Sequence, residues 1–208
     1  MSVAPGRLRM SEEEFVTWCN DPVRAEFVRA EWVDGKVVEM SPVNINHTRL
    51  NQWLASLMAE FVAFHELGEV VGPEYMFRLA AQRRRRVPDI LFVSTARANL
   101  LLESHLEGPP DLAVEIVSRE SQSRDRREKH QEYEAAGVRE YWIVDPFTET
   151  VEVYGLNGEG KFELISPGKD ATEVVSAILP GFRLPLEWFW MEKRPRGKAV
   201  RVQLGIDD

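Results

Sequence analysis

The chain has 208 residues, of which 44% are hydrophobic and 29% charged, with a formal net charge of −8. This composition predicts one globular domain over residues 1–190 and a polar tail over residues 191–208, and it disfavours a basic nucleic-acid coat protein. No apolar run is long enough to cross a bilayer and no signal-peptide core is visible, so we expect a cytoplasmic protein without membrane contact. The single cysteine, Cys19, excludes an internal disulfide and a cysteine-based zinc site.

The first third of the chain predicts a short helix, a hairpin and a long helix. Ser11 and Glu14 have the spacing of a capping box, which starts a helix that ends near Cys19. Residues 27–33 and 36–40 flank an Asp-Gly pair, which is typical of a two-residue hairpin turn. Apolar residues then recur at helical spacing through residues 47–66, which predicts an amphipathic helix.

The remainder alternates between strands and one charged helix. The predicted strands are residues 69–80, 87–94, 110–118 and 139–146, followed by a hairpin over residues 150–166. The charged segment 124–137 predicts a helix that Ser121 or Ser123 can cap and that Gly137 ends. A strand, a helix and a strand in this order indicate a parallel crossover, so we expect a mixed β-sheet flanked by helices.

Two carboxylates lie where the pattern predicts buried strands. Glu115 interrupts an apolar strand, where an unpartnered carboxylate is costly, and Asp89 follows Pro88 at the entry of the preceding strand. If the two strands pair, both carboxylates lie on one face and need a cation between them. Oxygen ligands of this kind favour Mg²⁺ or Mn²⁺. The alternative is that Asp89 caps a turn and Glu115 pairs with a core arginine.

The charged helix offers a basic group near these acids. Asp125, Lys129 and Tyr133 are four residues apart and therefore share one face of a helix. Lys129 is the only lysine of this helix, and an ammonium beside a phosphate can stabilise the charge that develops there during hydrolysis. The alternative is an exposed Asp125–Lys129 ion pair of little energetic value.

The segments "VPDI", "AVEIV" and "RDRREKHQEYEAAGVREYWIVDP", with "EWVDGKVVEMSP" and His47, resemble the Uma-type family of restriction endonucleases. These proteins belong to the PD-(D/E)xK superfamily, and the resemblance, from residue 10 to residue 190, implies an α/β restriction-endonuclease-like fold with an N-terminal helix and hairpin and C-terminal hairpins. It implies that Asp89, Glu115 and the Ile116 carbonyl bind Mg²⁺ or Mn²⁺. Val117 stands where the superfamily has its lysine, and the resemblance implies that Lys129 replaces it.

Further residues are assigned to the site with less support from the pattern. Glu31 and His47 match the family pattern, and Tyr133 shares the helical face of Lys129. The alternative for Glu31 is a hairpin ion pair, and the alternative for His47 is a polar residue in the first turn of a helix. Arginines close to the acids in sequence are candidates for phosphate contacts, with a solvated loop as the alternative for the first four. They are Arg83, Arg84, Arg85, Arg86 and Arg126.

Together these features predict a Mg²⁺-dependent endonuclease that hydrolyses phosphodiester bonds in DNA and forms a homodimer or higher homo-oligomer. The alternative is a catalytically inactive binding or regulatory module with a nuclease fold, which Val117 and the acidic charge favour. A hydrolase of small phosphate esters is a third possibility and needs a closed pocket. An ammonium of Lys129 within about 5 Å of the carboxylates favours the enzyme.

Overall fold

The computed structural model describes residues 8–21, 29–40, 42, 44–119, 121–167 and 171–206. The helices of this part of the chain are α1 (Glu12–Cys19), α2 (Ile45–Phe64), α3 (His130–Ala136) and α4 (Lys198–Leu204). A π-helical segment, Arg124–Lys129, leads directly into α3, and two 3₁₀ turns cover Thr95–Leu100 and Leu186–Phe189. Among the described residues, no helix combines the length and apolar character needed to cross a membrane.

The strands form two larger sheets and one small one. The strands are β1 (Ala30–Val33), β2 (Lys36–Glu39), β3 (Gly68–Val71), β4 (Met76–Leu79), β5 (Arg84–Arg86), β6 (Ile90–Ser94), β7 (His105–Glu107), β8 (Leu112–Ile116), β9 (Glu140–Asp145), β10 (Thr150–Leu156), β11 (Phe162–Ser166), β12 (Glu173–Val175) and β13 (Arg183–Pro185). The central sheet has the order β11-β10-β9-β8-β6-β3, the second sheet has the order β2-β1-β5-β4-β7, and β12 pairs with β13.

The central sheet is mixed, as the sequence predicts. Strands β8 and β9 are parallel and are joined through the π-helical segment and α3, whereas every other neighbouring pair in this sheet is antiparallel. The helix α3 ends at Gly137, whose φ of 83° places it in the left-handed region that suits glycine at this position. The prediction of a mixed sheet flanked by helices, with a strand–helix–strand crossover at its centre, is confirmed.

Both faces of the central sheet are covered. Ile90 and Val114 face a core formed with the apolar side of α2, while Leu91 and Ala113 face a second core that contains Tyr133 of α3. All five residues of β8 are buried, which explains why this strand is apolar almost throughout. Glu115 points to the same side as Ala113, towards α3, and the cost of burying it there must be met by its neighbours.

The second sheet is the main departure from the predicted elements. Residues 69–80 do not form one strand: β3 joins the central sheet and β4 the second sheet, with Pro73 between them. Proline lacks the N–H that a continuous strand needs, which accounts for the break. The predicted hairpin at Asp34-Gly35 is present as β1 and β2, and both turn residues have positive φ. Residues 27 and 28 of its predicted first strand lie outside the described residues.

The segment after residue 190 is more closely attached than its polar composition predicts. Val200 and Leu204 of α4, with Ile206, are buried in the core that α2 forms with the central sheet. The indole Nε1 of Trp53 also donates a hydrogen bond to the carbonyl of Pro195, at 2.9 Å. The polar tail predicted for residues 191–208 therefore contains a segment that packs on the core, because two apolar residues four apart give α4 one buried face.

This packing can be tested within α4 itself. We expect Leu204→Ala to lower the free energy of unfolding by about 2–5 kcal/mol, because it leaves a cavity at a side chain that is 4% exposed. The matched control is Val202→Ala, two residues earlier, where the side chain is 60% exposed and the expected change is below about 0.5 kcal/mol. Urea denaturation of both variants makes the comparison, and equal stability of both would show that α4 does not pack on the core.

Candidate metal centre

The pairing of β6 with β8 sets the two carboxylates beside each other. Asp89 comes one residue before the pair Ile90↔Val114, and its N–H donates to the Val114 carbonyl at 3.1 Å, which holds it at the end of β8 beside Glu115. Both carboxylates line the same cavity. The Asp89 Oδ2 also accepts a hydrogen bond from the Ile116 N–H at 2.8 Å, which fixes the carboxylate against the end of β8.

The partner of Glu115 is Lys129 and not an arginine. The Lys129 Nζ lies 2.7 Å from Glu115 Oε1, and the hydroxyl of Tyr133 donates to the same oxygen at 2.8 Å. The Lys129 side chain is only 1% exposed, so the alternative of a surface Asp125–Lys129 ion pair is wrong. An ammonium this deeply buried needs charged partners, because its transfer out of water is costly.

Two further carboxylates complete the environment of Lys129. Its Nζ lies 3.3 Å from Glu31 Oε1 and 3.6 Å from Asp125 Oδ1. Asp125 is one α-helical turn before Lys129 in sequence, but the backbone between them is π-helical, a form found mostly as single turns at functional sites. The sequence analysis considers Asp125 only as an ion-pair partner of Lys129, and the structure places its carboxylate in the buried cluster.

Glu31 links the hairpin to β5 and, through Arg86, to α3. Its Oε2 accepts from the Arg86 guanidinium at 2.7 Å, and its Oε1 accepts from the Val87 N–H at 3.2 Å. The Nε of Arg86 donates in turn to Glu132 Oε2 at 2.8 Å. Glu31 and Arg86 are both fully buried, so the ion pairs that Glu31 makes from the hairpin lie inside the fold, against β5 and the site.

His47 lies in the first turn of α2 and points at the carboxylate pair. Its Nε2 is 3.0 Å from the Ile116 carbonyl oxygen and 3.3 Å from Asp89 Oδ2. Both oxygens are acceptors, so Nε2 carries the proton. The turn is held by Asn44, whose side chain accepts from the His47 N–H. His47 therefore donates to the two oxygens that the sequence assigns, with Glu115, to a metal ion.

The titration behaviour of the acids and of Lys129 reflects burial first. Burial raises the pKa of Glu115 to about 8, although Lys129 opposes the rise. Burial also disfavours the charged form of Glu31, but Lys129 and Arg86 outweigh it and lower the pKa of Glu31 to about 2. For Lys129 itself, burial disfavours the ammonium, yet Glu115 and Glu31 outweigh this and raise its pKa.

These groups line one cavity of about 140 Å³. Its wall includes Asp89, Glu115, Ile116, Lys129, Asp125, His47, Arg29, Arg124, Glu39, Met40, Ser118 and Ser121. Within the described part of the chain, neither Asp89 Oδ1 nor Glu115 Oε2 has a hydrogen-bond partner. Two carboxylate oxygens and a backbone carbonyl form the hard donor set that Mg²⁺ prefers, so these residues fit a divalent ion. Over the described ranges there is no cluster of three or more His, Cys, Asp or Glu that could hold a metal ion, and the fit rests on this smaller set.

All five arginines proposed to contact phosphate have ion-pair partners within the protein. Arg85 and Arg86 are buried in β5 and bind Glu12, Glu31 and Glu132, so the fold does not leave them available to a nucleic acid, and their assignment is wrong. Arg84 is partly buried and paired with Glu132. Arg126 is paired with Asp145 and Glu152. Only Arg83 is largely exposed, in an ion pair with Asp34, so phosphate contact stays a prediction for Arg83, Arg84 and Arg126.

The mixed sheet with its flanking helices matches a nuclease fold, which gives the class of protein. The model of the Uma2 family, described as "Putative restriction endonuclease", matches residues 12–187, and the chain belongs to this family. Among solved structures, the chain is similar to the crystal structure of a "putative nuclease belonging to DUF820" from Anabaena variabilis. The two share 18% identity at a TM-score of 0.64, over 77% of this chain and 89% of that chain, which shows a common fold. No curated protein matches the chain.

Loss of a buried ion pair at the site should lower the free energy of unfolding far more than loss of an exposed ion pair. We expect Arg86→Met to lower the free energy of unfolding by about 3–5 kcal/mol, because it leaves Glu31 buried with one cation fewer. The control, Arg83→Met, removes an ion pair whose side chains are 66% and 63% exposed, and should cost less than about 1 kcal/mol. Denaturant titration measures both, and a loss for Arg86→Met no larger than that for the control would contradict the buried network.

Proposed function

We propose that this protein is a Mg²⁺- or Mn²⁺-dependent endonuclease that hydrolyses phosphodiester bonds in DNA. The observation that carries the proposal is the 2.7 Å contact of Lys129 with Glu115 beside Asp89, with all three residues on the wall of one cavity. The position of Lys129 beside Glu115 supports an enzyme over an inactive module. Membership of the Uma2 family supports nucleic acid as the class of substrate.

The buried charges support a bound cation. Four carboxyl groups of the cluster are less than one-tenth exposed: Glu31, Asp89, Glu115 and Asp125. The cations Lys129 and Arg86 are equally buried within the cluster, and Arg29 and Arg124 lie on the cavity wall. Burial raises the pKa of Glu115, and Asp89 adds to the rise by repulsion, which a cation between these two carboxylates would relieve.

Each residue then has a distinct part. Asp89, Glu115 and the Ile116 carbonyl hold the ion, which when bound acts as a Lewis acid and activates water. Lys129 stabilises negative charge that develops on the phosphate oxygens, and its carboxylate partners keep the ammonium in one position. Tyr133 holds Glu115 through its hydroxyl, and His47 orients Asp89.

Metal binding is tested without reference to activity. We expect calorimetric titration with Mg²⁺ or Mn²⁺ to give one site in the unaltered protein, and Asp89→Asn and Glu115→Gln to weaken it by at least about tenfold, because each removes a charged ligand. Glu60→Gln serves as the control, since this residue of α2 lies in an exposed ion pair with Arg201. Equal affinity in all four proteins would rule out these residues as metal ligands.

Catalysis is tested at Lys129. We expect Lys129→Met to slow Mg²⁺-dependent cleavage of plasmid DNA by about 10²–10³-fold, the loss seen when one positioned electrostatic group is removed. The control is Lys161→Met, which removes a lysine that is 67% exposed and paired with Glu134. Because Lys129 is buried among carboxylates, circular dichroism and the metal titration must first show that the variant is folded.

The outcome also decides between an enzyme and an inactive module. If the unaltered protein cuts DNA and Lys129→Met cuts equally fast, the role given to Lys129 is wrong. If the unaltered protein cuts no nucleic acid with either metal, the nuclease proposal fails and a binding or regulatory role takes its place.

A further inference from the structure

Two arginines of the cavity wall have buried N–H groups without acceptors. Arg29 and Arg124 both line the cavity beside Asp89 and Glu115. The Nε and Nη2 atoms of Arg29 and the Nε atom of Arg124 are buried and have no hydrogen-bond partner among the described residues. A buried donor without an acceptor costs about 1–3 kcal/mol, and more when the group is charged, so such groups are rare in folded proteins.

Other buried or partly buried arginines of this chain direct their Nε atoms at a carboxylate. The Nε atoms of Arg78, Arg85 and Arg86 each donate to a carboxylate. The Nη2 of Arg86 lacks a hydrogen bond of good geometry but lies 2.7 Å from Glu132 Oε2. The Nε atoms of Arg29 and Arg124 have no such partner among the described residues, although Glu39 and Asp125 line the same cavity and the Oδ1 of Asp125 also lacks a hydrogen-bond partner. These donors are therefore left for another acceptor.

The local backbone explains why both arginines reach this cavity. Arg29 directly precedes β1, and its carbonyl accepts from the Met40 N–H at 2.8 Å, which continues the hairpin pairing by one residue. Alternate residues of an extended chain share a face, so Arg29 lies on the same side of the hairpin as Glu31. Arg124 begins the π-helical segment that Lys129 ends. Hydrogen bonds in a π-helix join residues five apart, which brings positions 124 and 129 nearly into line along one side.

We propose that Arg29 and Arg124 form a phosphate-binding subsite that holds the phosphodiester next to the carboxylate pair. The planar guanidinium fork matches two oxygens of a phosphate and stays charged at all relevant pH values. The cavity is far larger than the roughly 30 Å³ that a water molecule takes up in the liquid, so a phosphate group has room. This proposal deepens the proposed nuclease function and rests on it for the identity of the phosphate ester.

The subsite is tested first with inorganic phosphate alone, in EDTA, so that no metal ion can bridge the anion to the carboxylates. We expect phosphate to raise the melting temperature of the unaltered protein, and Arg29→Gln with Arg124→Gln to weaken this phosphate binding by about tenfold or more, because hydrogen bonds to the charged groups are lost. The matched control is Arg201→Gln, which removes the same charge from an exposed ion pair on α4 and should respond as the unaltered protein does.

A second pair of variants separates geometry from charge and guards against misfolding. Arg29→Lys with Arg124→Lys keeps both charges but loses the forks, so we expect an intermediate phosphate response in a protein whose circular dichroism is unchanged. If the glutamine or lysine variants respond to phosphate as the unaltered protein does, or if the unaltered protein does not respond at all, the subsite proposal is overturned.

The second arm uses a fluorescein-labelled DNA duplex, also in EDTA, with anisotropy recorded over a range of salt concentrations. For the Gln variants, we expect each lost arginine contact to reduce the slope of log K for DNA binding against log salt concentration by about 0.9. The slope of Arg201→Gln should stay that of the unaltered protein. Failure of the nuclease proposal looks different: the unaltered protein would respond to phosphate through Arg29 and Arg124 but would neither bind nor cut DNA. In that case the subsite stands and belongs to another class of phosphate ester.

Discussion

The buried ammonium of Lys129 is the interaction on which the arrangement of the site depends. It contacts Glu31 from β1, Glu115 from β8 and Asp125 from the π-helical segment, so three separate parts of the fold converge on one charge. Such a cluster is stable only when every member keeps its partners, because the desolvation of each ion is costly. The position of the hairpin over the central sheet, and of α3 over β8, is therefore fixed by charge as well as by apolar packing.

The same cluster keeps ionisable side chains around a cavity. A core selected for stability alone could replace them with apolar side chains of similar volume. Here burial raises the pKa of Glu115 to about 8, and His47 donates its proton to two of the oxygens beside it. Acids with a strongly shifted pKa in a cavity, with a specific charged partner, are typical of functional sites.

The sequence predicts those site residues whose position follows from their near neighbours in the chain. An acid within an apolar strand indicates Glu115, and the four-residue spacing places Lys129 and Tyr133 on one helical face. The partners of Arg85 and Arg86 lie far away in the chain, in α1, β1 and α3, so four consecutive arginines look like a basic loop when only neighbours are visible. The sequence analysis does not assign Arg29 and Arg124 to the site, because only the folded chain brings them to one cavity wall. The two-residue spacing from Glu31 is a signal that points to Arg29. The burial of α4 rests on only two apolar positions, too few for a hydrophobic pattern to stand out in a polar segment.

Val117 stands where the sequence analysis expects the lysine of the superfamily, and its packing disfavours a lysine there. Val117 follows β8 on the same side as Glu115 and is buried with Tyr133 and Tyr141 in the apolar core under α3. A lysine at that position would need to displace this packing to reach the carboxylate, whereas Lys129 reaches it from the helix that covers the strand. The ammonium that contacts Glu115 is therefore positioned by the π-helical turn and not by the strand. A change that converts this turn to regular α-helix would rotate Lys129 relative to Asp125 and move the charge away from Glu115 without touching either acid.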